Sequence, residues 1–256
     1  MSFPYTVQIA DGAELEQSAT KLHRLGTRGV TEDGRVYYYC KANATSGVAR
    51  SYLACQSVNR YKVDGSQECW QGTLSAASAA GSFTLTSLDT TAAHVANFFE
   101  DGYVYLRPTS AAQQLYRVKS NTAAGTSMTV TLYEHLKYDC ATAGTIMVVP
   151  SPYSNVIRVH GGGEPYAPFV CMANFAPITA SYYFWGQTWG PCMATWSSGD
   201  GTGQNERNLQ FNYDGSVSLM EAPAATKYSQ HAGYNLMYQT DAQTNGLILI
   251  MLEIRP

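Results

Sequence analysis

The chain has 256 residues, enough for one large domain or two modest ones, and 45% of them are hydrophobic, which excludes wholesale disorder. Charged residues make up only 14%, against about 25% in a typical soluble domain. A formal net charge of -3 supplies no basic field, so nucleic acid and anionic lipid are excluded as main partners.

The first segment, Met1 to about Gly26, carries Phe3, Tyr5, Val7, Ile9, Leu15, Leu22 and Leu25 with no obvious place in the strand pattern that follows. Asp11 to Glu14 has capping-box spacing, and Leu15, Ala19 and Leu22 fall at i, i+4 and i+7. Two readings follow: a short helix, or an extended arm that orders only where a partner buries it. The start, Met1 to Tyr5, lacks the basic and apolar regions of a secretory signal, which leads to the expectation of synthesis in a cytoplasm without export by that route.

From there the pattern is β. Strand-like runs occur at Arg35–Lys41, Ser82–Ser87, Gly102–Arg107, Gln114–Lys119, Ser127–Tyr133 and Thr145–Val149. Others follow at Asn155–Val159, Tyr182–Trp189, Gly215–Met220 and Gly246–Ile254. In one of them Met128, Val130 and Leu132 alternate with Thr129 and Thr131, the mark of an antiparallel strand with one solvated face. The closing run is apolar on both faces, so it belongs in the middle of a sheet or against another subunit. Its longest apolar stretch, Leu247 to Leu252, is strand-sized and far short of the roughly 20 residues a membrane helix needs. Three glycines before Pro165, in His160–Pro165, mark a joint. The expected fold class is all-β: two antiparallel β-sandwich or barrel-like domains with an N-terminal extended arm. The expected division is an arm over 1–26, a first β-domain over 27–160 and a second over 161–256.

Catalytic motifs are weak. His160–Gly163 imitates an esterase oxyanion loop, but no G-x-S-x-G follows. Ser18–Lys21 spells S-x-x-K without its companion motifs, and Gly199–Gly203 lacks the Lys-Ser/Thr of a phosphate loop. The five histidines are scattered, and Glu32-Asp33 and Glu100-Asp101 each precede a glycine in a turn. A carboxylate pair assembled in space from distant residues stays open. The six cysteines show no C-x-x-C pair and read as free, buried thiols rather than metal ligands. The chain is expected not to be an enzyme and to hold no cofactor and no metal.

One cluster stands above this background. Tyr182, Tyr183, Phe184, Trp185 and Trp189 lie within eight residues, with Trp196 just beyond. They read either as core or as a subunit interface, since Tyr and Trp combine large rigid area with a polar tip.

Several collinear stretches resemble the head-associated structural proteins of tailed bacteriophages. Leu25–Tyr37 (LGTRGVTEDGRVY) followed by Tyr38–Ala42 (YYCKA) is similar to that group's "LGTR…DGRVF.Y.KA" opening. Asp101–Tyr105, Gln114–Asn121 and Thr131–Leu136 resemble its "GYL…G..YRI..N…LTLYDPL" stretch. Pro150–Val156 and Tyr182–Pro191 resemble "PNPYSGV" and "YYFWVQTWGP". Tyr103 to Gln113 lacks the glycines usual there, and Cys192 stands where a small residue is common.

The resemblance implies a capsid decoration (cement) protein located on the capsid surface of the virion, and it carries over no catalytic residues. The expected partners are the major capsid protein and the chain itself, as a homo-oligomer, most simply a trimer on an icosahedral lattice, with no nucleic acid and no membrane. Phe3, Tyr5, Val7, Ile9, Leu15, Leu22 and Leu25 are the candidate capsid contacts. The alternative is a tail or fibre receptor-binding protein recognising host glycans through its aromatic surface. A major capsid subunit is a weaker rival, because no stretch reads as a long spine helix.

Overall fold

The computed structural model describes residues 6–57, 69–88, 94–107, 113–123, 125, 127–142, 144–158, 167–197, 207–220, 230–237 and 246–254. The chain opens with β1 (Thr6–Gln8), a single 3-10 turn (Ala13–Leu15), β2 (Gln17–Ser18), β3 (Arg28–Val30), β4 (Val36–Lys41) and β5 (Ala54–Ser57). Next come β6 (Trp70–Leu74), β7 (Thr84–Leu88), β8 (Tyr103–Arg107), β9 (Gln114–Asn121), β10 (Ser127–Leu132) and β11 (Thr145–Val149). The chain continues through β12 (Val156–Arg158), β13 (Phe169–Met172), β14 (Tyr183–Thr195), β15 (Asn208–Phe211), β16 (Val217–Leu219), β17 (His231–Asn235) and β18 (Leu247–Glu253). The fold is all-β, and no α-helix occurs among the described residues.

Two compact units form, and they divide the chain differently from the sequence expectation. One unit takes Met1–Val58 together with Tyr153–Pro256, and the other takes Asn59–Pro152. The expected boundary between 27–160 and 161–256 is therefore replaced, and the glycine joint itself lies outside the described residues. The physical reason is strand pairing. β4 pairs with β14, and β5 pairs with β12 and β13, so the early strands find their partners only after the chain has built the other unit.

The unit in the middle of the chain is a closed antiparallel barrel with strand order β10-β7-β6-β11-β8-β9. Its alternation is the one read from the sequence: Met128, Val130 and Leu132 point inward with Leu85, Val104, Leu106, Ile146 and Val148. Closure leaves no sheet edge unpaired. Trp70 fills the interior, and its indole N–H donates to the Ser87 hydroxyl.

The other unit is a mostly antiparallel sheet ordered β1-β3-β4-β14-β18-β17-β15-β16, with β2, β5, β12 and β13 attached off this path. It holds two hydrophobic clusters. Residues of β5 and β13 divide between the clusters: Cys55, Val170 and Cys171 go to one, and Ala54, Phe169 and Met172 to the other, with a register irregularity between Phe169 and Cys171. Strands buried on both faces lose the hydrophobic alternation, which explains their uniform burial.

The expected free arm is not found among the described residues of 1–26. β1 pairs in parallel with β3, and β2 pairs with β14. Ile9 donates its amide to Val30 O at 2.9 Å, and its side chain lies against Gly29, where a Cβ would collide with it and with Trp185. The capping-box stretch forms only one 3-10 turn, because β2 follows two residues later.

β14 joins the two clusters. Its first half pairs with β4 from Tyr183 to Trp189 and its second half with β18 from Trp189 to Thr195, with a register shift between Gln187 and Trp189. At the hand-over Gly190 adopts φ 98, a conformation that disfavours any side chain, and Pro191 follows without an amide hydrogen. The fully buried Gln187 side chain bonds to the backbone at this point. Its Nε2 donates to Trp189 O at 3.1 Å and to Pro191 O at 2.9 Å, while its Oε1 accepts from Asn174 Nδ2 at 2.6 Å. Gln187→Met keeps the volume but removes these bonds. It is expected to lower unfolding free energy by about 2–3 kcal/mol, read by urea denaturation, with an unchanged far-UV spectrum.

Candidate functional site

The seven N-terminal candidates separate by burial. Phe3 and Tyr5 lie outside the described residues, and Val7 is half-buried in β1. Ile9 and Leu25 are 5% exposed and belong to the core, so they are withdrawn as capsid contacts. Leu15 and Leu22 remain, 51% and 67% exposed.

The aromatic run is largely interior. Phe184, Trp185 and Trp196 are buried, while Tyr182, Tyr183 and Trp189 are half-buried against the core. Tyr183 stacks on Tyr39 at 5.8 Å and 5°, and Lys41 Nζ lies 5.5 Å from the Tyr183 ring. His23 packs between Tyr39 and Trp185, and burial pulls its pKa below the ordinary value. Of the two readings for this run, core describes most of it.

Another apolar face, partly exposed, lies along β18 and its neighbours. Along β18, Ile248, Ile250 and Leu252 are fully buried, and strand alternation turns Leu247, Leu249 and Met251 to the opposite face. There Met193 sits opposite Leu249, and Met251 lies between Pro191 and Tyr234. Leu236 reaches the same row through its amide bond to Leu249 O at 3.1 Å. Leu247, Tyr234, Leu236 and the neighbouring Met237 are 37–44% exposed. The result is a band of Leu, Met and Tyr on a sheet face that the described residues leave partly exposed. At one end His231 Nδ1 approaches Glu253 Oε2 at 3.9 Å. The apolar closing strand signalled part of this face; Tyr234, Leu236 and Met237 carried no pattern in the sequence.

Carboxylates gather at a cleft of ≈ 690 Å³ lined by Asp11, Glu14, Glu32, Asp33 and Arg35. Asp33 accepts from the Thr31 hydroxyl at 2.6 Å and from Arg35 Nε at 2.6 Å, which holds its carboxyl below the usual range. Arg35 also reaches Glu14 Oε1 at 3.4 Å and donates to the Tyr37 hydroxyl at 2.6 Å. Arg35 thus bridges Asp33 in the β3–β4 turn and Glu14 in the 3-10 turn. Among the described residues no group of three or more His, Cys, Asp or Glu is arranged to hold a metal ion. No helix among them is long and apolar enough to cross a membrane.

All six thiols are free and buried. Cys55 and Cys171 face each other across β5 and β13, and Cys40 Sγ lies 3.9 Å from Cys171 Sγ. Hydrogen bonding to Cys171, with burial, pushes Cys55 well up, and hydrogen bonding to Cys40 does the same for Cys171. Burial pushes Cys192 up to about 12. Thiols held protonated are neither nucleophiles nor metal ligands at neutral pH.

No family model, no curated protein and no solved structure matches the chain.

The raised thiols, joined by the Tyr37 and Tyr39 phenols that burial also pushes up, set an alkaline limit to stability. In each case the unfolded chain releases the proton at lower pH than the folded one. Their contribution is therefore complete below the ordinary thiol value of 9.0 and falls as pH rises towards about 12. Urea midpoints taken at pH 7, 9 and 10.5 (about 1.5 units apart or more, enough to span the window) are expected to drop only over the upper interval. Thiol reagents at pH 8 are expected to modify none of the buried cysteines until the protein is unfolded.

Proposed function

We propose that this chain is a structural protein of a tailed-phage virion, a capsid decoration protein that binds the outer capsid surface and stabilises the head. The observation that carries the assembly part is the apolar outer face of β14, β18 and β17, centred on Leu249 and Met251. Sheet faces of this kind are covered in use, and a second copy of the chain covers one without any need for charge matching. The low charge content supports the same reading, since few ions need desolvation when such surfaces meet. The phage part rests on the collinear motifs from Leu25 to Pro191, which fall on β3, β4, β8, β9, β10 and β14.

In this reading the protein acts by contact and not by catalysis. It forms a homo-oligomer, a trimer at the three-fold positions of the lattice, and the exposed Leu15 and Leu22 are its capsid contacts. Light scattering on the purified protein is expected to give a trimer mass, and Leu249→Glu a folded monomer; a monomeric wild-type protein would refute the self-association. Leu22→Asp is expected to leave the oligomer intact and weaken its binding to undecorated capsids by about tenfold, the effect of losing one well-packed contact. Cryo-electron microscopy of the virion decides the location: density for the chain on the tail, or inside the head, would overturn the decoration reading.

A further inference from the structure

The barrel carries a feature that assembly through the other unit does not use. Among its described residues four large hydrophobic side chains are exposed, Phe83, Val95, Leu115 and Tyr138, and three of them converge on one cleft. Phe83, Leu115 and Tyr138 line it with Tyr133, His135 and Lys137, and its volume is ≈ 890 Å³. That falls within the roughly 300–1,000 Å³ of small-molecule sites.

The cleft is rigid. Leu132 N donates to Phe83 O, Leu136 N to Ser82 O and Gly81 N to Leu136 O, each at 2.8 Å. Leu136 is fully buried in the barrel core. The Tyr116 hydroxyl donates to Gln114 Oε1 at 2.6 Å and accepts from Lys137 N at 2.8 Å, and Tyr138 N donates to Gln114 Oε1 at 3.2 Å. The backbone around the rings is thus pinned, while the rings stay in solvent. Phe83 and His135 meet at 6.0 Å and 72°, forming a corner of two nearly perpendicular planes. Lys137 Nζ lies 5.5 Å from the Tyr138 ring.

We propose that this cleft binds a neutral saccharide, with a pyranose ring laid against Phe83 and Tyr138. A sugar ring presents an apolar C–H face and a girdle of hydroxyls. The cleft offers aromatic walls for the first and, in Gln113, Glu134, His135 and Lys137, donors and acceptors for the second. One carboxylate stands against one ammonium, so the lining has no excess charge to select an anionic ligand. An extended peptide is a poorer match, because the barrel is closed and offers no free strand edge to pair with. The site lies wholly within the barrel unit, so its occupancy does not depend on the decoration role.

The test is an array of neutral bacterial, plant and animal glycans probed with the full-length protein, followed by saturation-transfer NMR with methyl pyranosides of the hit. Wild-type protein is expected to bind, and Phe83→Ala and Tyr138→Ala each to bind about tenfold more weakly. Both positions are solvent-exposed, so thermal midpoints should stay within about 3 °C of wild type. Leu22→Asp, on the other unit, should bind sugar normally. No glycan bound, binding unaffected by both aromatic variants, or binding confined to anionic polysaccharides and lost in high salt would each overturn the assignment.

Discussion

A strand that serves two hydrophobic clusters cannot keep one set of partners, and the buried carboxamide of Gln187 is what makes the change of partner affordable in β14. The hand-over from β4 to β18 combines a register shift, a positive-φ glycine and a proline, and two carbonyls there take a side-chain donor. Both accept from Gln187 Nε2. The same side chain is held by Asn174, which reaches Tyr37, which is bound by Arg35, which in turn reaches Asp33 and Glu14. One polar chain therefore runs from the interior of the long strand to the surface turn before β4. Glu14 sits in the 3-10 turn of the N-terminal segment, so the polar chain adds a tie to the β1–β3 and β2–β14 pairing that builds this segment into the sheet.

Close packing around this chain depends on small residues as much as large ones. Gly186 is the neighbour of Gln187 in β14, and a Cβ there would collide with the Cys171 thiol. Cys171 in turn faces Cys55 and approaches Cys40, so three thiols fill the space where β4, β5 and β13 converge. Cysteine suits this place as a small, polarisable hydrophobe. The tyrosines behave in a similar way. Tyr37, Tyr38 and Tyr39 are buried, and Tyr38 stacks on Tyr153 at 5.2 Å and 6°, so these rings serve as core.

The sequence displays its one-sided strands most clearly. Met128–Leu132 alternates because one face meets the barrel core and the other meets water, and the period survives in the residue string. β5 and β13 are silent for the opposite reason: both faces are buried, so Ala54–Ser57 and Phe169–Met172 show no period. Composition could not reveal the interrupted unit either, since both units are strand-rich and pairing partners are set by distant contacts. The aromatic run was visible, but its division into core and surface depends on which cluster each residue meets. Phe83 and Tyr138 were harder still. Phe83 falls in the Ser82–Ser87 run and Tyr138 in none, and only the folded barrel brings them to one cleft.

The barrel's place in the chain has a mechanical consequence. Ser57, the last residue of β5, is paired with Val156 of β12, so the host chain leaves and returns at adjacent points of one ladder. Whatever is threaded between them closes a loop whose ends are already fixed by hydrogen bonds. The entropy of that closure grows only with the logarithm of the inserted length. The host sheet therefore registers a gap one strand spacing wide, not the whole length of the chain inserted between the two ends. A module inserted in this manner is exchangeable: cut at the paired ends, it leaves behind a hairpin that a short turn can seal.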